Sequence, residues 1–145
     1  MALIQRIIND LLNVHPPHTL FVHFPIALLS AAFFFILLAL WRKSDLLEQI
    51  AFANMALGAV STLVAGIFGE RDNVVFYGGQ APNHWAKIIL AITLFVLTTV
   101  VSLVRWRNPK LFHSRGKALY VTAYALSFVI VSVLGFLGGV IVYGG

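Results

Sequence analysis

The chain has 145 residues, of which 60% are hydrophobic and 10% charged, with a formal net charge of +5 and no cysteine. A soluble domain carries roughly 25% charged residues, so there is too little polar side chain here to cover a water-facing surface. The lack of cysteine excludes disulfides, thiolate metal centres, iron–sulfur clusters and the C-x-x-C-H attachment of c-type haem.

Residues 2–12, ALIQRIINDLL, put Ile4, Ile7, Ile8 and Leu11 on one helical face and set Arg6 four positions before Asp10. This predicts a short amphipathic helix within residues 1–14, lying on the membrane surface. A signal peptide is not expected, because the basic segment is thin, no small-residue cleavage motif follows and the apolar run begins later. Pro16–Pro17 then breaks the chain.

Four apolar blocks follow, at about residues 23–41, 50–68, 85–104 and 118–143. Each can cross a hydrocarbon core of ~30 Å, and the last is long enough to tilt or project. Backbone polar groups in lipid must be satisfied internally, so the blocks are helices. The expected fold class is all-α, a single four-helix integral membrane bundle.

In the first block, Pro25 predicts either a kink or a late helix start near His23. In the second, Asn54, Gly58, Thr62 and Gly66 lie four apart, flanked by Ser61, Ala65 and Gly69. Small residues mark a face where a helix or a flat ligand comes close, and Asn54 is expected to face inward and find a partner. The segment GERDNVVFYGGQAPNH reads as a loop over the bundle mouth, with Glu70 and Asp72 solvated. In the fourth block, Gly138 and the GxxxG pair Gly135 and Gly139 suit helix packing, within the bundle or between copies in an oligomer.

The basic residues are unevenly placed. Arg42, Lys43, Arg105, Arg107, Lys110, Arg115 and Lys117 lie at one end of the spans, and Arg6, Arg71 and Lys87 at the other. The positive-inside rule then predicts a cell (inner) membrane protein with both termini extracytoplasmic. The charges orient the chain and meet anionic headgroups of the lipid bilayer, and nucleic-acid binding is not expected.

Counting spans places His15, His18, His23 and His84 at the outer end with Glu70, Arg71, Asp72 and Lys87. His113 stands apart in the basic loop. Three readings of the cluster are open. The imidazoles can anchor the spans at headgroup depth. They can hold haem b, with His23 and His84 as axial ligands, Gly66 and Gly138 admitting the porphyrin, and Arg71 or Lys87 pairing its propionates. They can bind zinc or copper through His23 and His84, more weakly His15 and His18, with Glu70 or Asp72. Lys87 can also simply snorkel outward. H-E-x-x-H is absent, and no nucleophile–base pair, paired carboxylates or phosphate loop is visible. Enzymatic activity is therefore not expected. Two functions follow: a haem b electron-transfer protein serving a redox partner, or a non-catalytic accessory subunit of a larger respiratory or photosynthetic complex.

At HPPHTLFVHFPIALL and GFLGGVIVYGG the chain resembles a family of four-span bacterial membrane proteins, domain of unknown function 2231. The shared features are His15–Pro16, the His23–Phe24–Pro25–Ile26–Ala27 run, the Gly66–Gly69 end of span two, His84 and Gly138–Gly139. The likeness covers nearly the whole chain. It implies the four-span fold and a membrane role, without naming a reaction.

Overall fold

A computed structural model describes residues 2–10 and 17–143, with side chains over 2–10 and 19–140. Helix α1 spans Ala2–Asn9, α2 Pro17–Phe21, α3 His23–Arg42, α4 Asp45–Tyr77, α5 His84–Arg107 and α6 Lys117–Tyr143. A 3-10 turn, Leu111–His113, lies between α5 and α6. Helices α3 to α6 are each long and apolar enough to cross a membrane. Every residue of α1 is exposed.

Pro25 sits in the first turn of α3, where a missing N–H costs no helical hydrogen bond, so the late start holds and α2 forms a separate turn ahead of it. Lys43 ends α3 in the left-handed region, φ 50°. Ser44 then caps α4, its Oγ accepting from the Leu47 N–H at 3.4 Å.

The segment expected as an outer loop is instead helical to Tyr77. Nothing in ERDNVVFY breaks a helix. The breaker comes at Gly78–Gly79, where φ is +57° and +82°, values that glycine adopts without steric cost. With 33 residues, α4 is about 50 Å long, well beyond the hydrocarbon core.

The four spans pack in a ring, α3 on α4, α4 on α5, α5 on α6 and α6 on α3, alternating up and down. Buried positions follow alternating steps of three and four: Pro25, Leu29, Ala32, Ile36 and Ala39 on α3, and Glu48, Ala51, Met55, Gly58, Thr62 and Ala65 on α4. That 3.5-residue period is the seam of a left-handed bundle.

The seam corrects the expected stripe on α4. A strict four-residue step drifts around the helix, and of Asn54, Gly58, Thr62 and Gly66 only Gly58 and Thr62 are fully buried. Asn54 is half-buried, and its amide donates to its own helix, at the Ile50 carbonyl, 2.9 Å away. Gly58 is where α3 comes closest, since a Cβ there would run into Leu29 Cδ2. Gly135 faces α3 in the same way: a Cβ there would lie 3.1 Å from Ile26 Cδ1, so half of the GxxxG pair is used inside the bundle. Large apolar side chains such as Phe34, Leu57, Ile89 and Phe136 point outward, toward lipid. Trp41 and Trp106 lie exposed at one end and Trp85 at the other, as interfacial aromatic residues do.

These contacts separate two glycines on one helix. Gly58→Val should destabilise the bundle by about 1–3 kcal/mol, because Leu29 is buried and cannot retreat. Gly66→Ala meets nothing within 4 Å and should be neutral or stabilise by up to about 1 kcal/mol. Thermal unfolding in detergent measures both.

Candidate functional site

Between the four spans, at the end where α3 and α5 begin, lies a cavity of about 190 Å³. Its inner part is apolar, formed by Pro25, Ile26, Ala65, Ala91, Leu94 and Val131. Thr19, Glu70, Asp72, Asn73, His84 and Lys87 supply the polar atoms around it. Gly66 and Gly138 complete two walls, and a Cβ at either would meet nothing within 4 Å.

Asn73 builds the polar rim. Its carbonyl accepts from the Gly79 N–H at 3.0 Å, and its Oδ1 accepts from the Ala81 N–H at 3.0 Å. One buried amide thus holds the turn from α4 into α5. Because Oδ1 is fixed as acceptor, Nδ2 must donate, and it reaches His84 Nε2 at 3.3 Å. That makes Nε2 the acceptor and leaves the imidazole proton on Nδ1. Glu70 Oε2 stands 3.7 Å from the same Nε2.

Lys87, one helical turn beyond His84, is half-buried in the cavity wall, and its ammonium forms no hydrogen bond or ion pair among the described residues. It is a cation facing an apolar space. Asp72, expected as a solvated loop charge, is instead buried, with Arg71 Nη1 donating to its Oδ1 at 3.3 Å. The extension of α4 puts it on the buried seam, seven residues after Ala65.

Of the residues singled out for a cofactor, His84, Lys87, Gly66 and Gly138 meet at this cavity. Arg71 is outside its lining. So is His23, which is exposed and bonds through Nδ1 to the Thr19 carbonyl of the preceding turn. His15 lies outside the described residues, and His18 falls in α2 at a position where only the backbone is described.

Haem b would need more than this arrangement supplies. Among the described residues one imidazole faces the cavity, and its Nε2 lone pair is taken by Asn73. The volume is close to the ~150 Å³ that holds one benzene ring, far below a porphyrin. Among the described residues no three His, Asp or Glu side chains converge on a metal position.

A second polar cluster lies at the opposite end, and sequence reasoning missed it. Arg105, counted there among the loop cations, is buried on α5. It donates through Nε and Nη2 to Glu48 Oε1 and Oε2, both at 2.7 Å, a bidentate pair. Tyr120 donates to Glu48 Oε1 at 2.7 Å, and its oxygen lies 2.8 Å from that of Tyr124. The Arg105 guanidinium also lies over the Phe52 ring, 5.1 Å from its centre. The signal was present in the sequence: Glu48 lies on the same seam as Ala51 and Met55, and Arg105 seven residues after buried Thr98. Nearby, His113 Nε2 bonds Asp45 Oδ1 at 2.6 Å on the surface.

A family model described as "Predicted membrane protein (DUF2231)" matches residues 14–145. No curated protein and no solved structure matches the chain.

The Glu48–Arg105 pair is closed to water on both sides, so removing one partner strands a buried charge. Glu48→Ala or Arg105→Ala should each cost about 3–5 kcal/mol, while the double variant Glu48→Met/Arg105→Met loses much less than the two together. Unfolding midpoints of the single and double variants in one detergent test the coupling.

Proposed function

The chain belongs to DUF2231, a family of predicted membrane proteins, and from that premise we propose that it binds a small membrane-soluble molecule with an acidic or hydrogen-bond-accepting head. The observation that carries the reading is Lys87, whose ammonium forms no ion pair among the described residues, in the wall of a cavity whose inner part is apolar. Even a half-buried ammonium without an ion pair carries a desolvation cost, and a ligand carboxylate or similar group relieves it. The apolar part of such a ligand fills the space beside Ile26, Leu94 and Val131 or extends into the bilayer. The function is one of binding or carriage. No group around the cavity is paired as a nucleophile and base among the described residues.

Haem b with one-electron transfer is the second reading. In its favour, His84, Lys87, Gly66 and Gly138 line the same cavity. It requires His84 to give up its bond to Asn73 and the bundle to widen. The accessory-subunit reading rests on the exposed apolar surface, which lipid covers as well as a partner protein does.

One purification separates these. The protein is isolated in a mild detergent, its visible spectrum recorded, and an organic extract analysed by mass spectrometry beside Lys87→Met and Gly138→Leu. An acidic, lipid-soluble compound enriched with wild type and lost from both variants is expected. Identical extracts from all three would sink the proposal, and a Soret band lost in His84→Ala would put haem first.

Orientation enters the same reading. With Arg105 consumed by Glu48, six cations still lie at one end against three at the other. We expect that basic end in the cytoplasm and the cavity on the far side. A fluorescent protein that matures only in the cytoplasm, fused after Gly145, should stay dark. Bright cells would invert the topology.

A further inference from the structure

We propose that the basic end carries a specific site for an anionic phospholipid, seated in the groove between the C-terminal end of α3 and the N-terminal end of α6. Leu40, Ala118 and Val121 form the apolar floor of this open groove, and Arg115 and Lys117 stand at its head. The site is independent of the cavity at the other end.

Charge complementarity selects the occupant. Of the five acidic residues in the chain, only Asp45 and Glu48 lie at this end. Glu48 is closed off by Arg105 and Tyr120, and Asp45 is bonded to His113. No carboxylate is left to neutralise Arg115 or Lys117, and Arg115 forms no ion pair among the described residues. Lys117 is held in place, its ammonium 4.8 Å from the centre of the buried Phe112 ring. Unlike a loose surface lysine, it loses little freedom when an anion arrives.

Depth selects a lipid over a soluble anion. Trp41 and Trp106 mark the interfacial level at this end, and Arg42 and Lys43 close α3 there. Arg115 and Lys117 therefore sit at headgroup height. From them the floor runs down through Ala118 and Val121 on one side and Leu40 on the other, toward the hydrocarbon. A phosphate at the head and an acyl chain along the floor satisfy both parts of the groove at once. A free phosphate would leave the floor empty, and a zwitterionic lipid would bring its own cation against Arg115 and Lys117.

Native mass spectrometry in a nonionic detergent tests this with dioleoyl phosphatidylglycerol, dioleoyl phosphatidylcholine and inorganic phosphate as probes. One phosphatidylglycerol adduct should saturate first, well below the concentration at which phosphatidylcholine adds. A tenfold excess of phosphate should not displace it. Arg115→Gln/Lys117→Gln should weaken that adduct about thirtyfold, from about 1 kcal/mol for each basic residue at the surface. Arg107→Gln/Lys110→Gln removes the same charge outside the groove and should change it by less than about threefold. Equal losses in the two double variants would show only a general electrostatic attraction and overturn the site. Displacement by phosphate, or equal affinity for phosphatidylcholine, would overturn the lipid assignment.

Discussion

A bilayer removes the usual reason for one face of a helix to turn inward. Lipid tails are as apolar as leucine, so burying Leu or Ile against another helix gains little over leaving it in the membrane. What distinguishes the inner faces here is close approach and polarity. Gly58 lets α3 settle onto α4. Glu48, Arg105 and Tyr120 tie α4, α5 and α6 to one point. Rotating any of those three helices out of register would strand a charge or a hydroxyl in a medium that cannot solvate it. The ion pair therefore fixes rotational register, and the seams of small and apolar residues follow from it.

The two ends of the bundle use polar groups in opposite ways. At the basic end the buried charges are matched, bidentate and saturated, which leaves the bundle interior there nothing to bind and makes it a rigid clamp. At the histidine end Asn73 spends its amide on the chain turn and on His84, Asp72 is engaged by Arg71, and Lys87 has no acid of its own among the described residues. The unmatched group lies where four small residues, Ala65, Gly66, Ala91 and Gly138, leave room beside it. An unbalanced charge next to space is what a binding site needs, and a balanced charge without space is what a structural lock needs.

Much of this was legible in the sequence because membrane constraints are coarse. Four apolar blocks give four spans, Pro25 gives the start of α3, and the family resemblance at His23–Ala27 agrees with the family match. What failed was reading polarity as exposure. ERDN reads as a loop because it is charged, yet helix continuation depends on the next breaker, Gly78. Arg105 reads as a topology signal because it sits two residues from Arg107, yet one of those positions is on the buried seam and the other is not. Proximity along the membrane normal is equally misleading for His23. Span counting puts it level with His84, but it is exposed and outside the cavity lining, a matter of angle around α3 that span counting does not contain.

The length of α4 has a consequence for how the cavity exchanges its contents. At about 50 Å against about 36 Å for α5, it carries Glu70, Asp72 and Asn73 on continuous helix rather than on a flexible connection. The conformational entropy of those residues, about 1–2 kcal/mol each for the backbone, is lost when the protein folds and not again when a guest arrives. Among the described residues nothing forms a lid over this vestibule. For the guest proposed above, residence time would then depend on how strongly it prefers the interior over the surrounding lipid, and occupancy would follow its concentration in the membrane.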